Sequence, residues 1–184
     1  MTVRTDLWEI GLNQNGYFTL DDARGSGFDE TAVRMMARRN KLQLVARGVF
    51  RFPEYPTGEA DPYTLALLWT GALEATLSHE TVLLLRNLSD VNPAKINLTI
   101  GAQRRVRRVG GDKYLVHRAQ INEADVEYWE GIRMFNVATA IRQCMETTPN
   151  YLLRQAIDQG LKGGFLKDRQ ARELTNALDE VYAH

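Results

Sequence analysis

TLDDARGSGFDETAVRMMARRNKLQLVARGVFRF, residues 19–52, is the stretch on which the fold turns. Thr19 ahead of Leu20-Asp21-Asp22-Ala23-Arg24 sets a hydroxyl before early carboxylates, as at a helix N-terminus. Gly25-Ser26-Gly27 ends that helix, Asp29 is placed to cap another running to about Arg39, and Asn40 stops it. Leu42-Gln43-Leu44-Val45 and Val49-Phe50-Arg51-Phe52 are short alternating or β-branched runs on either side of Ala46-Arg47-Gly48, the pattern of a hairpin. Upstream, Arg4 to Asn13 puts Leu7, Ile10 and Trp8 on an amphipathic helix that stops before the Asn15-Gly16 turn. Three short helices and a hairpin in that order predict a winged helix-turn-helix.

Pro53, Pro56 and Thr57-Gly58 interrupt both helix and ladder, so the predicted boundary falls there. A DNA-binding domain is expected over 1–56 and a C-terminal α/β domain over 57–184. The fold class is α+β: the winged helix, then a mixed α/β domain with a small antiparallel sheet and C-terminal helices.

The predicted third helix has two faces. Val33, Met36 and Ala37 fall at i, i+3 and i+4 and face the core, while Thr31, Arg34, Met35 and Arg38 form the opposite stripe. Net charge over the 184 residues is zero, which by itself speaks against a nucleic-acid partner. Its distribution speaks for one: Arg24 to Arg51 holds seven basic residues against two acidic, Asp29 and Glu30. An exposed helix face is ordinarily charged, so Arg34 alone carries little. The conjunction of helices, wing and local charge makes Thr31, Arg34, Arg38, Arg39 and Lys41 the predicted DNA-binding residues, with Arg47 and Arg51 on the hairpin gripping phosphates.

Beyond the linker, Asp61 to about Leu73 and Ser78 to about Leu85 read as helices, the second capped by Ser78. Ile96 to Ile100 alternates as a strand, and Tyr114 to His117 is its expected hairpin partner across a basic loop. Val126-Glu127-Tyr128-Trp129 and Ile132-Arg133-Met134-Phe135 are strands joined at Glu130-Gly131. Three closing helices carry apolar stripes: Val137, Ala140, Ile141, Cys144 and Met145; Leu153, Ala156, Ile157, Gly160 and Leu161; Ala171, Leu174, Leu178, Val181 and Tyr182. The basic loop holds Arg104, Arg105, Arg107 and Arg108, and two readings of it stay open. It is either a solvated turn or a source of further phosphate or partner contacts.

Hydrophobic residues at 44% and charged residues at 25% are those of an ordinary globular protein. No apolar run approaches the ~20 residues of a membrane span, no signal peptide is visible, and the single cysteine, Cys144, forms no internal disulfide. A cytoplasmic location without membrane contact is expected. Enzymatic readings are weak. His79-Glu80 lacks a second ligand four residues on, where Leu83 stands. Ser78-His79, and Cys144 with His117, show no triad order, and Gly110-Gly111 and Gly163-Gly164 lack the lysine and hydroxyl of a phosphate loop. No catalytic residue, metal or cofactor is expected.

Gly16-Tyr17-Phe18-Thr19, Asn40 through Arg51, Leu77-Ser78-His79-Glu80-Thr81, Asn92-Pro93-Ala94-Lys95-Ile96 and Val116-His117-Arg118-Ala119 occur in an order that resembles the AbiEi antitoxins of type IV toxin–antitoxin systems. The segment around Arg47-Gly48-Val49-Phe50 is the most specific of these. The resemblance implies an antitoxin that binds repeats in its own promoter DNA and represses its operon, with a C-terminal domain that counters a nucleotidyltransferase-like toxin. Two alternatives from other classes are a one-component regulator whose C-terminal domain senses a small ligand, and a catalytic C-terminal domain, kinase or nuclease, acting on the toxin or on nucleic acid.

Overall fold

The computed structural model describes residues 3–183. The chain divides into two compact units, one gathering the chain up to Ala75 with 105–111 and 130–132, the other 76–104, 112–129 and the chain from Arg133 onward.

In the first unit α1 (Val3–Leu12) leads through Asn15 and Gly16, both at positive φ, into β1 (Tyr17–Thr19). Gly16 is required twice over, because its φ is +82° and a Cβ there would lie inside the Tyr55 side chain. Next comes α2 (Leu20–Gly25), begun by a reciprocal cap: Thr19 Oγ1 accepts from the Asp22 amide at 3.0 Å, and Asp22 Oδ2 accepts from the Thr19 amide at 2.7 Å. Such a cap is worth about 1 kcal/mol. Asp29 precedes α3 (Glu30–Arg38) as expected, but its side chain makes no capping bond. The helix ends at Asn40, with φ of +56°.

β2 (Gln43–Ala46) and β3 (Val49–Arg51) form the expected hairpin. β1, which periodicity did not reveal, completes a sheet of order β1-β3-β2 by pairing antiparallel with β3, Phe18 opposite Phe50. Leu7, Phe18, Val33, Phe50 and Phe52 are fully buried in one cluster with Leu20, Ala23 and Leu42. Phe18 stacks on Phe50 with ring centroids 5.6 Å apart. Each such side chain contributes about 1.5–3 kcal/mol on burial.

The compact units do not divide at residue 56. Arg51 reaches over the proline-containing segment, donating to the carbonyls of Phe52, Tyr55 and Pro56 and to Asp61, and α4 (Asp61–Thr70) lies against β1 and β3. The first unit therefore continues past the prolines to Ala75.

The second unit is built on β4 (Thr76–Leu77), α5 (His79–Leu85), β5 (Ile96–Gly101), β6 (Tyr114–Ala119), a 3-10 turn at Glu123–Asp125, β7 (Val126–Trp129), β8 (Ile132–Phe135), α6 (Val137–Cys144), α7 (Asn150–Lys162) and α8 (Asp168–Tyr182). The sheet order is β6-β5-β4-β8-β7. Here the structure corrects the sequence reading: β5 and β6 are parallel rather than a hairpin, β4 pairs parallel with β8, and β4 pairs antiparallel with β5, so the sheet is mixed. The basic segment is thus a crossover connection rather than a hairpin loop. β7 and β8 are joined where expected, at Glu130 and Gly131, both at positive φ as a tight hairpin turn requires. The apolar stripes of the last three helices are buried through Val137, Ile141, Cys144, Leu153, Ala156, Leu174 and Leu178, while Leu161, Val181 and Tyr182 remain exposed.

Candidate nucleic-acid interface

α3 is pinned to the first core by Val33, with Met36 and Ala37 packed against the cluster, which turns Thr31, Arg34, Met35 and Arg38 to the outside. Arg34 and Arg38 stand one turn apart on that face. Arg34 Nε donates to Glu30 Oε1 at 2.9 Å, an exposed i,i+4 pair that a phosphate or base edge can displace at small cost. Arg39 and Lys41, just past the helix, and Arg47, in the β2–β3 turn, are also exposed. Leu44 shows 62% of its surface, and a groove of about 280 Å3 runs between it and Arg34, Ala37, Arg38 and Phe50. The hairpin turn is held in place by the Leu20 amide, which donates to the Gly48 carbonyl at 2.9 Å.

Arg51 departs from expectation. It is 6% exposed, with its guanidinium 3.2 Å from Asp61 and on the carbonyls of the following turn, so it is a structural ion and not a phosphate ligand. The segment after β3 and the start of α4 cover the guanidinium, which explains its burial. Arg104, Arg105 and Arg107 are exposed. Arg108 is half-buried, and its Nη1 donates to the Arg47 carbonyl at 3.1 Å. Trp69 Nε1 donates to the Val109 carbonyl at 2.9 Å, and the Gly111 backbone lies against the Trp69 ring. Residues 105–111 therefore belong with the winged helix. Arg24, absent from the sequence-based set, lies with Arg34, Arg47 and Arg108 around one cleft.

A second polar cluster lies in the other unit. Ser78 is fully buried, and its hydroxyl sits 2.9 Å from His79 Nδ1 rather than capping α5. The His79 and His117 rings stack with centroids 3.6 Å apart, and His117 Nε2 meets Asn97 Oδ1 at 2.9 Å. Burial, and then the neighbouring His117, push the His79 pKa down to about 4, while burial lowers that of His117 against the opposing pull of Glu80. Burial pushes the Cys144 thiol up to about 12, which leaves it protonated and unreactive. The Ser78 hydroxyl has no solvent access for a substrate.

The two imidazoles give the protein a pH dependence with a definite sign. The unfolded chain binds protons at the ordinary histidine pKa and the folded chain resists them, so stability is full above pH 6.5 and is lost as the pH falls toward about 4. Chemical unfolding curves across that window should show a loss of roughly 2 kcal/mol after allowance for partial solvent screening. His79→Asn, which tolerates the left-handed backbone at this position, should flatten the dependence. An equal slope in the variant would assign the acid sensitivity to other groups.

The helix-strand-helix-helix-hairpin order, with a cationic helix face outward beside the hairpin, defines a winged helix-turn-helix protein with a mixed α/β region behind it. Residues 12–53 match the model of a family described as transcriptional regulator, AbiEi antitoxin. The fold of the chain is also similar to that of the RV2827C protein from Mycobacterium tuberculosis, with a TM-score of 0.53 and 17% identity over 96% of this chain and 72% of that one. No curated protein matches the sequence. The match over residues 12–53 supports a general antitoxin or regulatory role. Among the described residues no group of three or more His, Cys, Asp or Glu side chains is placed to hold a metal ion, and no helix is long and apolar enough to cross a membrane.

Proposed function

We propose that this chain is the antitoxin and autorepressor of a type IV toxin–antitoxin operon in the cytoplasm. Its winged helix binds repeats in its own promoter, with α3 in the major groove and Arg47 on the flanking backbone, and its C-terminal region counters a nucleotidyltransferase-like toxin. The observation that carries the DNA half is the outward stripe of Thr31, Arg34, Met35 and Arg38 on a helix whose other face is locked into the core. The toxin half rests on the AbiEi-type match over residues 12–53 and on the likeness to AbiEi antitoxins.

Each half has its own test. Arg47 contributes charge and no base contact, so Arg47→Ala should weaken binding to all duplexes alike and reduce the salt dependence by about 0.9 in the slope of log K against log salt. A changed base preference would instead make the hairpin a reader of sequence. For the toxin, co-expression of the full chain with the adjacent reading frame should relieve growth arrest by that frame's product. Persistent arrest with soluble protein present would overturn this half.

A further inference from the structure

Arg24, Arg34, Arg47 and Arg108 line a cleft of about 230 Å3 whose walls come entirely from the first compact unit. Two of the four cations are matched within it. Arg24 meets Asp21 at 2.9 Å, and Arg34 pairs with Glu30. Arg47 and Arg108 have no ion pair among the described residues, yet the Arg108 guanidinium is held against the Arg47 carbonyl at the hairpin turn. Gly71, the left-handed cap of α4, leaves the space that guanidinium occupies, since a Cβ there would overlap it. Four guanidiniums against two carboxylates around one small cleft is a charge surplus that an anion relieves.

We propose that this cleft binds a phosphate group, with Arg108, supplied by the crossover between β5 and β6, as a ligand that the winged helix's own sequence does not provide. Phosphate suits it better than carboxylate. Guanidinium forks approaching from several sides match a tetrahedral oxyanion, whereas a carboxylate is satisfied by one fork in its plane. The cleft shares Arg34 with the outward face of α3, so a backbone phosphate of a duplex on that face is one source and a free phosphate is the other. The first source rests on the DNA reading above, and the second does not.

The test uses the full chain and two variants, Arg108→Gln and Arg108→Lys, each verified as folded by circular dichroism. Promoter duplex is titrated at several salt concentrations by fluorescence anisotropy, and inorganic phosphate is titrated by calorimetry. A salt slope smaller by about 0.9 in Arg108→Gln and largely restored in Arg108→Lys supports the proposal with the DNA backbone as source. Phosphate heat present in the natural chain and abolished in Arg108→Gln, with an unchanged slope, supports it with free phosphate as source. An unchanged slope together with phosphate heat that is absent, or equal in natural chain and variant, overturns it. Duplex binding that survives in that last case leaves the role of α3 standing. Phosphate binding without any duplex binding overturns the DNA reading and keeps the cleft.

Discussion

Replacing Arg51 with alanine is expected to destabilise the protein by about 3–5 kcal/mol, the cost of breaking a buried ion pair by removing one partner. The partner left behind is Asp61, whose side chain is 15% exposed and 3.2 Å from the guanidinium. The carbonyls of Phe52, Tyr55 and Pro56 lose their shared donor in the same step, and the Tyr17 ring loses the cation 5.4 Å from its centroid. The segment that follows β3 then loses the guanidinium that joins its carbonyls to Asp61 of α4. A second change, Asp61→Asn, made in the Arg51→Ala background should recover part of the loss by removing the orphaned charge. Urea denaturation of the three proteins measures this directly. A stable Arg51→Ala variant with weakened DNA affinity would instead restore Arg51 to the phosphate contacts that its sequence position invited.

The Arg34→Ala, Arg38→Ala double variant is expected to do the opposite. Exposed side chains on α3 hold little of the fold together, so each substitution should move stability by less than ~0.5 kcal/mol, including the loss of the exposed Arg34–Glu30 pair. Binding to the native promoter should fall steeply, because each arginine reading a guanine edge is worth about 1–3 kcal/mol, or roughly fivefold to 150-fold per contact. Discrimination between bases should fall with it. Anisotropy titrations with the promoter and with single-base variants separate lost specificity from a loss of charge alone. Unchanged promoter affinity would remove α3 from the groove.

Where local chemistry determines structure, the sequence was readable. Thr19 with its early carboxylates, the Gly25-Ser26-Gly27 break and the Arg47-Gly48 turn are short-range signals, and α1, α2, α3 and the hairpin stand within a residue or two of their expected places. β1 and β4 escaped notice because strands of two or three residues carry no period to detect, and they are fixed by pairing with β3 and β5. The parallel pairing of β5 and β6 escaped for a related reason: two alternating runs separated by Gly110-Gly111 look alike whether the chain turns back or crosses over. On the site, the outward face of α3 was legible from spacing. The burial of Arg51 was not, since an arginine on a hairpin strand reads as exposed until the folding of residues 52–61 over it is known. The approach of Arg108 to Arg47, across sixty-one positions of sequence, leaves no local trace at all.

The most direct measurement of the central claim is a competition titration of the full chain with a duplex from its own promoter against a scrambled duplex of equal length and composition, at physiological salt. A winged helix that reads sequence through Arg34 and Arg38 should prefer the promoter by about a thousandfold or more, the usual margin of specific over non-specific recognition. Equal affinity for the two duplexes, or none for either, would contradict it.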